Sequence, residues 1–184
     1  TVLKSLEKIL PNESFIYLGD TAHVPYGTKS AEVVILYSEH ILDFFLKYEP
    51  KAVVIACNTA SAVAFQHLNR IYDLPLFDVV TPSVEYSIKI TKTQKIGVLG
   101  TYSTIQSGAY KQMFKDLGGG CRVQEISCPL FVPIIEDGWA DSSIARDIAE
   151  IYLHDLTNSD VDTLILGCTH YPIMANTIQA LLPN

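Results

Sequence analysis

Two spacings of apolar residues alternate along the chain. Phe15-Ile16-Tyr17-Leu18 is a short apolar run ending at Gly19-Asp20 and predicts a strand. From about Ser30, Val34, Tyr37, Ile41, Phe44, Phe45 and Tyr48 recur at helical spacing, predicting a helix with Tyr37, Phe44 and Phe45 toward the core. Ala52 to Ala56 is continuous and β-branched, the composition of a strand covered on both faces of a parallel sheet. A helix to about Arg70 follows, then a strand over Leu76 to Val80. Thr81-Pro82 is expected to open the next helix, with threonine as cap and proline in first position. The second half repeats the scheme. A strand is predicted over Lys95 to Leu99, then a helix stopped by Gly118-Gly119-Gly120. Strands follow over Val123 to Ile126 and Leu164 to Leu166. Between them lies a helix capped at Asp141-Ser142-Ser143 and running to about Leu156, and a last helix approaches Leu182.

This rhythm predicts an α/β fold of two doubly wound parallel-sheet half-domains related by pseudo-symmetry, with the active site in the cleft between them. The polar stretch Thr91-Lys92-Thr93-Gln94 marks the division, giving half-domains 1–92 and 93–184. Residue 1 falls at the edge of a helical pattern, so the expectation is that something precedes it.

Composition narrows the function. With 48% hydrophobic and 18% charged residues the chain can bury a core and does not read as disordered. No apolar run is long enough to suggest a membrane span. A formal charge of −7 argues against nucleic acid as a partner. Any anionic substrate must therefore be held by local donors, such as backbone N–H groups at helix N-termini. Four cysteines without a CxxC pair do not form a secreted disulfide framework, which favours a cytoplasmic location.

Candidate chemistry lies in an internal echo. VVIACNTASAV (53–63) and LILGCTHYPIM (164–174) share one plan: apolar strand, small residue, cysteine, two polar residues, helix. Most buried free cysteines are inert packing. Two in matching contexts, one per half, point to a pair acting on one ligand. A thiol at a helix start faces the positive end of the dipole, which is expected to lower its pKa and favour thiolate. Opposed across a cleft, Cys57 and Cys168 could remove a proton from one face of a carbon and return one on the other. The ordinary thiol pKa, roughly 8.5, suits a group that must be acid in one direction and base in the other. The negative charge that develops on the substrate needs donors around its carboxylate.

GDTAHVPYG (19–27), ACNTASA (56–62), PLFVPIIEDG (129–138) and GCTHYP (167–172), in that order, resemble the glutamate racemase family of the aspartate/glutamate racemase superfamily, over essentially the whole chain. The resemblance implies cofactor-independent interconversion of L- and D-glutamate, supplying D-glutamate for peptidoglycan, by a cytoplasmic bacterial homodimer without metal. Carried over by motif, Cys57 and Cys168 match the catalytic cysteines, and Asn58 and Thr59 match substrate contacts beside the first. Thr169 and His170 match contacts beside the second, with His170 also assisting proton transfer and Glu136 supporting that side. Tyr26 and Gly27 match a further substrate contact, and Thr101 and Thr104 fall where the family places hydroxyls near the substrate carboxylate. Family members begin with a strand and an FDSGVGG-type loop before a TVLK-type helix. The first half-domain is accordingly expected to lack its first strand and its C-terminal completion.

Alternatives remain open. An aspartate racemase or a related diacid isomerase would use similar cysteines, since one methylene is a small difference in recognition. A thiol nucleophile with His170 as base needs one essential cysteine, and a ligand-binding, inactive form needs none. Unplaced in a motif, Glu136 reads as a solvated loop carboxylate, Asp20 as a cap or turn residue, and His67 and His154 as helix-surface groups. Cys121 and Cys128 read as structural, and Trp139 as a loop residue. A metal held by Cys57, Cys168, His23 and His170 lacks the close ligand pair that zinc sites favour. YGTKS lacks the glycine spacing of a phosphate loop.

Overall fold

The computed structural model describes residues 2–118 and 120–182. Gly119 of the glycine stop and Pro183-Asn184 lie outside the described residues. The architecture is mixed α/β with parallel strands in two sheets. β1 (Val53–Val54) pairs with β2 (Leu76–Phe77), and β3 (Lys95–Gly100) lies between β4 (Arg122–Ser127) and β5 (Thr163–Gly167). Every pairing is parallel, so the carboxyl ends within each sheet emerge at one edge.

β3 organises the second sheet because its alternate side chains enter two cores. Ile96 and Val98 face α4 (Val80–Ile90) and α6 (Ala109–Asp116), where Val80, Val84, Tyr110 and Phe114 are buried. Leu99 faces the other way, into a core with Phe131 of α7 (Phe131–Glu136) and Ala145, Ala149 and Leu153 of α8 (Ser143–Thr157). Burying each large aliphatic or aromatic side chain is worth about 1.5–3 kcal/mol. A separate core holds Val34 and Leu42 of α2 (Ala31–Leu46) against Ala60, Ala64 and Leu68 of α3 (Asn58–Ile71). A division at residue 92 assigns α4 to the first half, yet Val80 and Val84 are buried against the second sheet.

Several expectations need correction. Phe15 to Leu18 forms no strand, because no neighbouring strand among the described residues offers it a ladder; Ile16 and Tyr17 are exposed. The strands expected at Ala52–Ala56 and Leu76–Val80 shrink to two residues each. The second is cut short by Asp78, whose Oδ1 accepts from the N–H groups of Val80 (2.6 Å) and Thr81 (2.7 Å). Val79, not Thr81, is therefore the N-cap position of α4, with Asp78 just before it accepting from the first N–H groups, and Pro82 sits in the first turn, where a missing N–H costs nothing. The buried stripe of α2 is Val34, Ser38 and Leu42, spaced by four, while Phe44 and Tyr48 are exposed and pack on each other. Tyr37 is only half-buried, against His23. The helix expected after β3 is two, α5 (Tyr102–Gln106) and α6, separated at Ser107-Gly108. The sequence reading also missed α7, because Pro133 interrupts its apolar run.

Candidate active site

The chemistry-bearing residues collect at the carboxyl ends of strands. β5 ends at Gly167, which pairs with Gly100 at the end of β3, so Cys168 and Thr101 follow paired positions in adjacent parallel strands. Gly167 has to be glycine: a Cβ there would come within 2.6 Å of the Leu99 carbonyl oxygen. Thr101 caps α5, its hydroxyl accepting from the Thr104 N–H at 3.3 Å. On the other side, Cys57 precedes the first residue of α3 in extended conformation, and the Thr59 and Ala60 N–H groups of that first turn act on its thiol.

A triangle of buried hydroxyls joins the two sides. Thr59 Oγ1 lies 3.0 Å from Thr101 Oγ1 and 3.1 Å from Thr104 Oγ1, and the last two are 2.9 Å apart. Thr59 and Thr101 therefore link the helix start that carries Cys57 to the strand end beside Cys168. Tyr26 and Gly27 lie in a short 3-10 turn (Tyr26–Thr28) packed on α5, and Ser103 Oγ donates to the carbonyls of Gly27 (2.9 Å) and Lys29 (2.8 Å). Asn58, buried, accepts from the Tyr110 phenol at 2.7 Å.

The Cys168 side carries a relay. Cys168 Sγ lies 3.8 Å from His170 Nδ1, and His170 Nε2 lies 3.2 Å from Glu136 Oε1. Tyr171 fixes this turn from below, its buried phenol donating to the Cys128 carbonyl at 2.9 Å. Thr169 is exposed beside Cys168. A second network borders Tyr26: its phenol and His23 both bond Asp20, with His23 Nδ1 at 2.7 Å from Oδ1.

Electrostatics overturn one expectation. Burial raises the Cys57 thiol above its ordinary value, against the opposing pull of the Ala60 and Thr59 N–H groups and the Thr59 hydroxyl. Burial likewise pushes Cys168 up to about 11, although the His170 and Tyr171 N–H groups pull it down. Negative charge on Cys57, and then on Glu136, raises Cys168 further. Desolvation thus outweighs the helix-start donors, and the thiols are not the pre-formed thiolates that their position alone suggests.

The profile of the Asp/Glu/hydantoin racemase family matches residues 1–184. The chain belongs to this family. It is thereby an enzyme of the isomerase class. Among its relatives, the glutamate racemase of Sulfurihydrogenibium sp. (strain YO3AOP1) is 44% identical over 185 residues, covering 100% of this chain and 71% of the relative. The glutamate racemase of Aquifex aeolicus (strain VF5) is 44% identical, covering 99% and 70%. Among solved racemases, RacE1 from Bacillus anthracis superposes with a TM-score of 0.93 at 36% identity, covering 98% of this chain and 68% of that one. The Francisella tularensis enzyme, solved in complex with D-glutamate, gives 0.92 at 37%, covering 99% and 68%.

Not every residue of this candidate site is legible in the sequence. Cys57 and Cys168 were visible as an echo, and the other candidates came from motifs. Tyr110, Ser103 and Tyr171 were missed because their contacts cross between distant segments. Asp20 was placed only as a cap or turn residue; its bond to Tyr26, six residues on, gave no pattern to read. Cys128 is buried, as befits a structural residue, with its thiol pushed up to about 12 by burial. His67, read as a surface group, is half-buried and paired with Glu39 at 2.6 Å.

Proposed function

We propose that this protein interconverts L- and D-glutamate without a cofactor, using Cys57 and Cys168 as opposed acid/base groups, and supplies D-glutamate for peptidoglycan. The observation that carries the reading is the 3.0 Å contact between Thr59 and Thr101, which brings the surroundings of the two cysteines into one hydroxyl-lined site. The influence of Cys57 charge on Cys168 supports the same proximity. The named glutamate racemases among the relatives, and the D-glutamate complex of one of them, support the substrate.

In the proposed reaction, one cysteine acts as thiolate and takes the α-proton, leaving its electron pair delocalised into the substrate carboxylate. The other, as thiol, gives its proton to the opposite face, so thiol and thiolate have exchanged places. Hydroxyls of Thr59, Thr101 and Thr104, the Asn58 amide, Thr169 and the Tyr26-Gly27 turn are the proposed substrate contacts. They hold an anion and stabilise the charge that grows on it. His170 takes the Cys168 proton when that residue must become a base, and Glu136 holds the imidazole in place. Under the same proposal the enzyme works as a homodimer in the bacterial cytoplasm, where its cysteines stay reduced.

The test is exchange in deuterated water. Either enantiomer of glutamate should gain deuterium at the α-carbon without pyridoxal phosphate or added metal. No exchange with either enantiomer by the folded protein overturns the reading. Cys57→Ser and Cys168→Ser should each abolish turnover, whereas a requirement for one cysteine alone points to nucleophilic chemistry. Faster exchange with aspartate reassigns the substrate.

A further inference from the structure

Tyr110 lies on α6, far in sequence from either cysteine, yet it touches both cysteine-bearing turns. Its side chain is fully buried. Its phenol donates to Asn58 Oδ1, on the residue that follows Cys57. Its ring lies under Gly167, the residue before Cys168; a Cβ there would meet Tyr110 Cε2 and the phenol oxygen, each at 3.3 Å.

We propose that Tyr110 is a positioning residue for substrate binding, which fixes the orientation of the Asn58 amide and holds the two cysteine turns at a set spacing. The inference deepens the racemase reading and rests on Asn58 being a substrate contact. An asparagine amide has one acceptor and one donor end, and a free amide can present either. With Oδ1 committed to the phenol, Nδ2 points away from Tyr110, and the end left for a ligand is the donor end. That is the end an amino-acid carboxylate requires. Reversed, the amide would set its oxygen against an anion. Burial, reinforced by negative charge on Asp78 and Cys168, raises the phenol well above its ordinary value, so it stays a donor throughout an assay's pH range.

The Tyr110→Phe protein keeps the ring against Gly167 and loses only the donor. Its KM for glutamate should rise about tenfold, the size of one lost buried hydrogen bond, while kcat falls much less, because the contact serves bound substrate and transition state alike. In an Asn58→Ala background the same substitution should leave KM within about twofold, because the amide it orients is gone. A wild-type KM in Tyr110→Phe, or an equal effect in both backgrounds, overturns the proposal. Should Tyr110→Phe fail to fold, Asn58→Asp carries the test. There Tyr110 still has an acceptor, but a carboxylate replaces the donor, so KM should rise at least about a hundredfold, with Tm lowered by the cost of burying a carboxylate; a wild-type KM there counts against the proposal. If the unmodified protein does not act on glutamate at all, the racemase reading fails first and this inference falls with it.

Discussion

The imidazole of His170 stands with Nδ1 3.8 Å from Cys168 Sγ. At Cys57 the partners among the described residues are backbone N–H groups and the Thr59 hydroxyl, not an imidazole. The two ends of the proposed proton path are thus built differently. His170→Asn should lower kcat/KM by about a hundredfold or more, the usual worth of a general acid/base group. The fall must be equal in both directions, because the enantiomers are equal in free energy. The asymmetry should appear in the α-deuterium isotope effect, larger in the direction in which Cys168 removes the proton. Equal isotope effects in both directions would remove His170 from proton transfer at Cys168. Glu136→Gln should cost about tenfold, since it only steadies the ring.

Cys168, pushed up to about 11, should behave as a neutral thiol in the free enzyme. Its alkylation by iodoacetamide, followed by mass spectrometry, should climb about tenfold per pH unit from 7 to 10 with no plateau. A plateau below about pH 9 contradicts this account. The linkage has a definite sign. A folded-state pKa above the unfolded thiol value of roughly 8.5 means the folded form holds its proton longer. Stability is complete below that value and drains away as pH rises from there toward 11.

The second sheet was legible in the sequence because β3 and β5 are mostly apolar runs, and β4, though half polar, carries Val123 and Ile126 in register beside β3. Phe15 to Leu18 has a similar composition but forms no strand, since composition states a preference and a ladder needs a neighbour. The turn at Asp78 went unread because its cap acts from two residues before the helix, where an aspartate after a strand has several ordinary uses. In the site, Cys57 and Cys168 were legible as a repeated plan. The raised thiols were not, because helix position is written locally while desolvation depends on everything packed above.

Asp162 fastens the segment between α4 and β3 to the start of β5. It accepts from the Thr91 hydroxyl (2.7 Å) and from the N–H groups of Lys92 (2.6 Å) and Thr93 (2.8 Å). Burial opposes its ionisation, but these donors hold its carboxyl well below the usual range. The stability it adds is present at neutral pH and lost as pH falls below the ordinary carboxylate value, about 4. Asp162→Ala should lower Tm by a few degrees at pH 7, a modest sum because the residue is exposed and screened. Near pH 3 the difference from wild type should shrink. A gap that stays constant between pH 7 and 3 removes the carboxylate as its cause.

Gly27 offers the sharpest test of the hydroxyl triangle, because it presses on a member from outside. A Cβ at this position would come within 2.5 Å of Thr101 Cβ and 2.9 Å of its Oγ1. Neither side can yield freely: Gly27 is held by the Ser103 hydroxyl, and Thr101 caps α5. Gly27→Ala must therefore push Thr101 out of register with Thr59 and Thr104. Overpacking of this kind costs about 1–3 kcal/mol in stability. The displacement should also raise KM for glutamate by at least about tenfold, since small misplacements in a binding constellation are expensive. Thr101→Ser in the same protein removes the methyl that the new Cβ meets at 2.6 Å and keeps the hydroxyl, so it should recover part of both losses. Recovery of Tm without recovery of KM would mean that the clash harms packing alone and that the Thr101 hydroxyl is not a substrate contact.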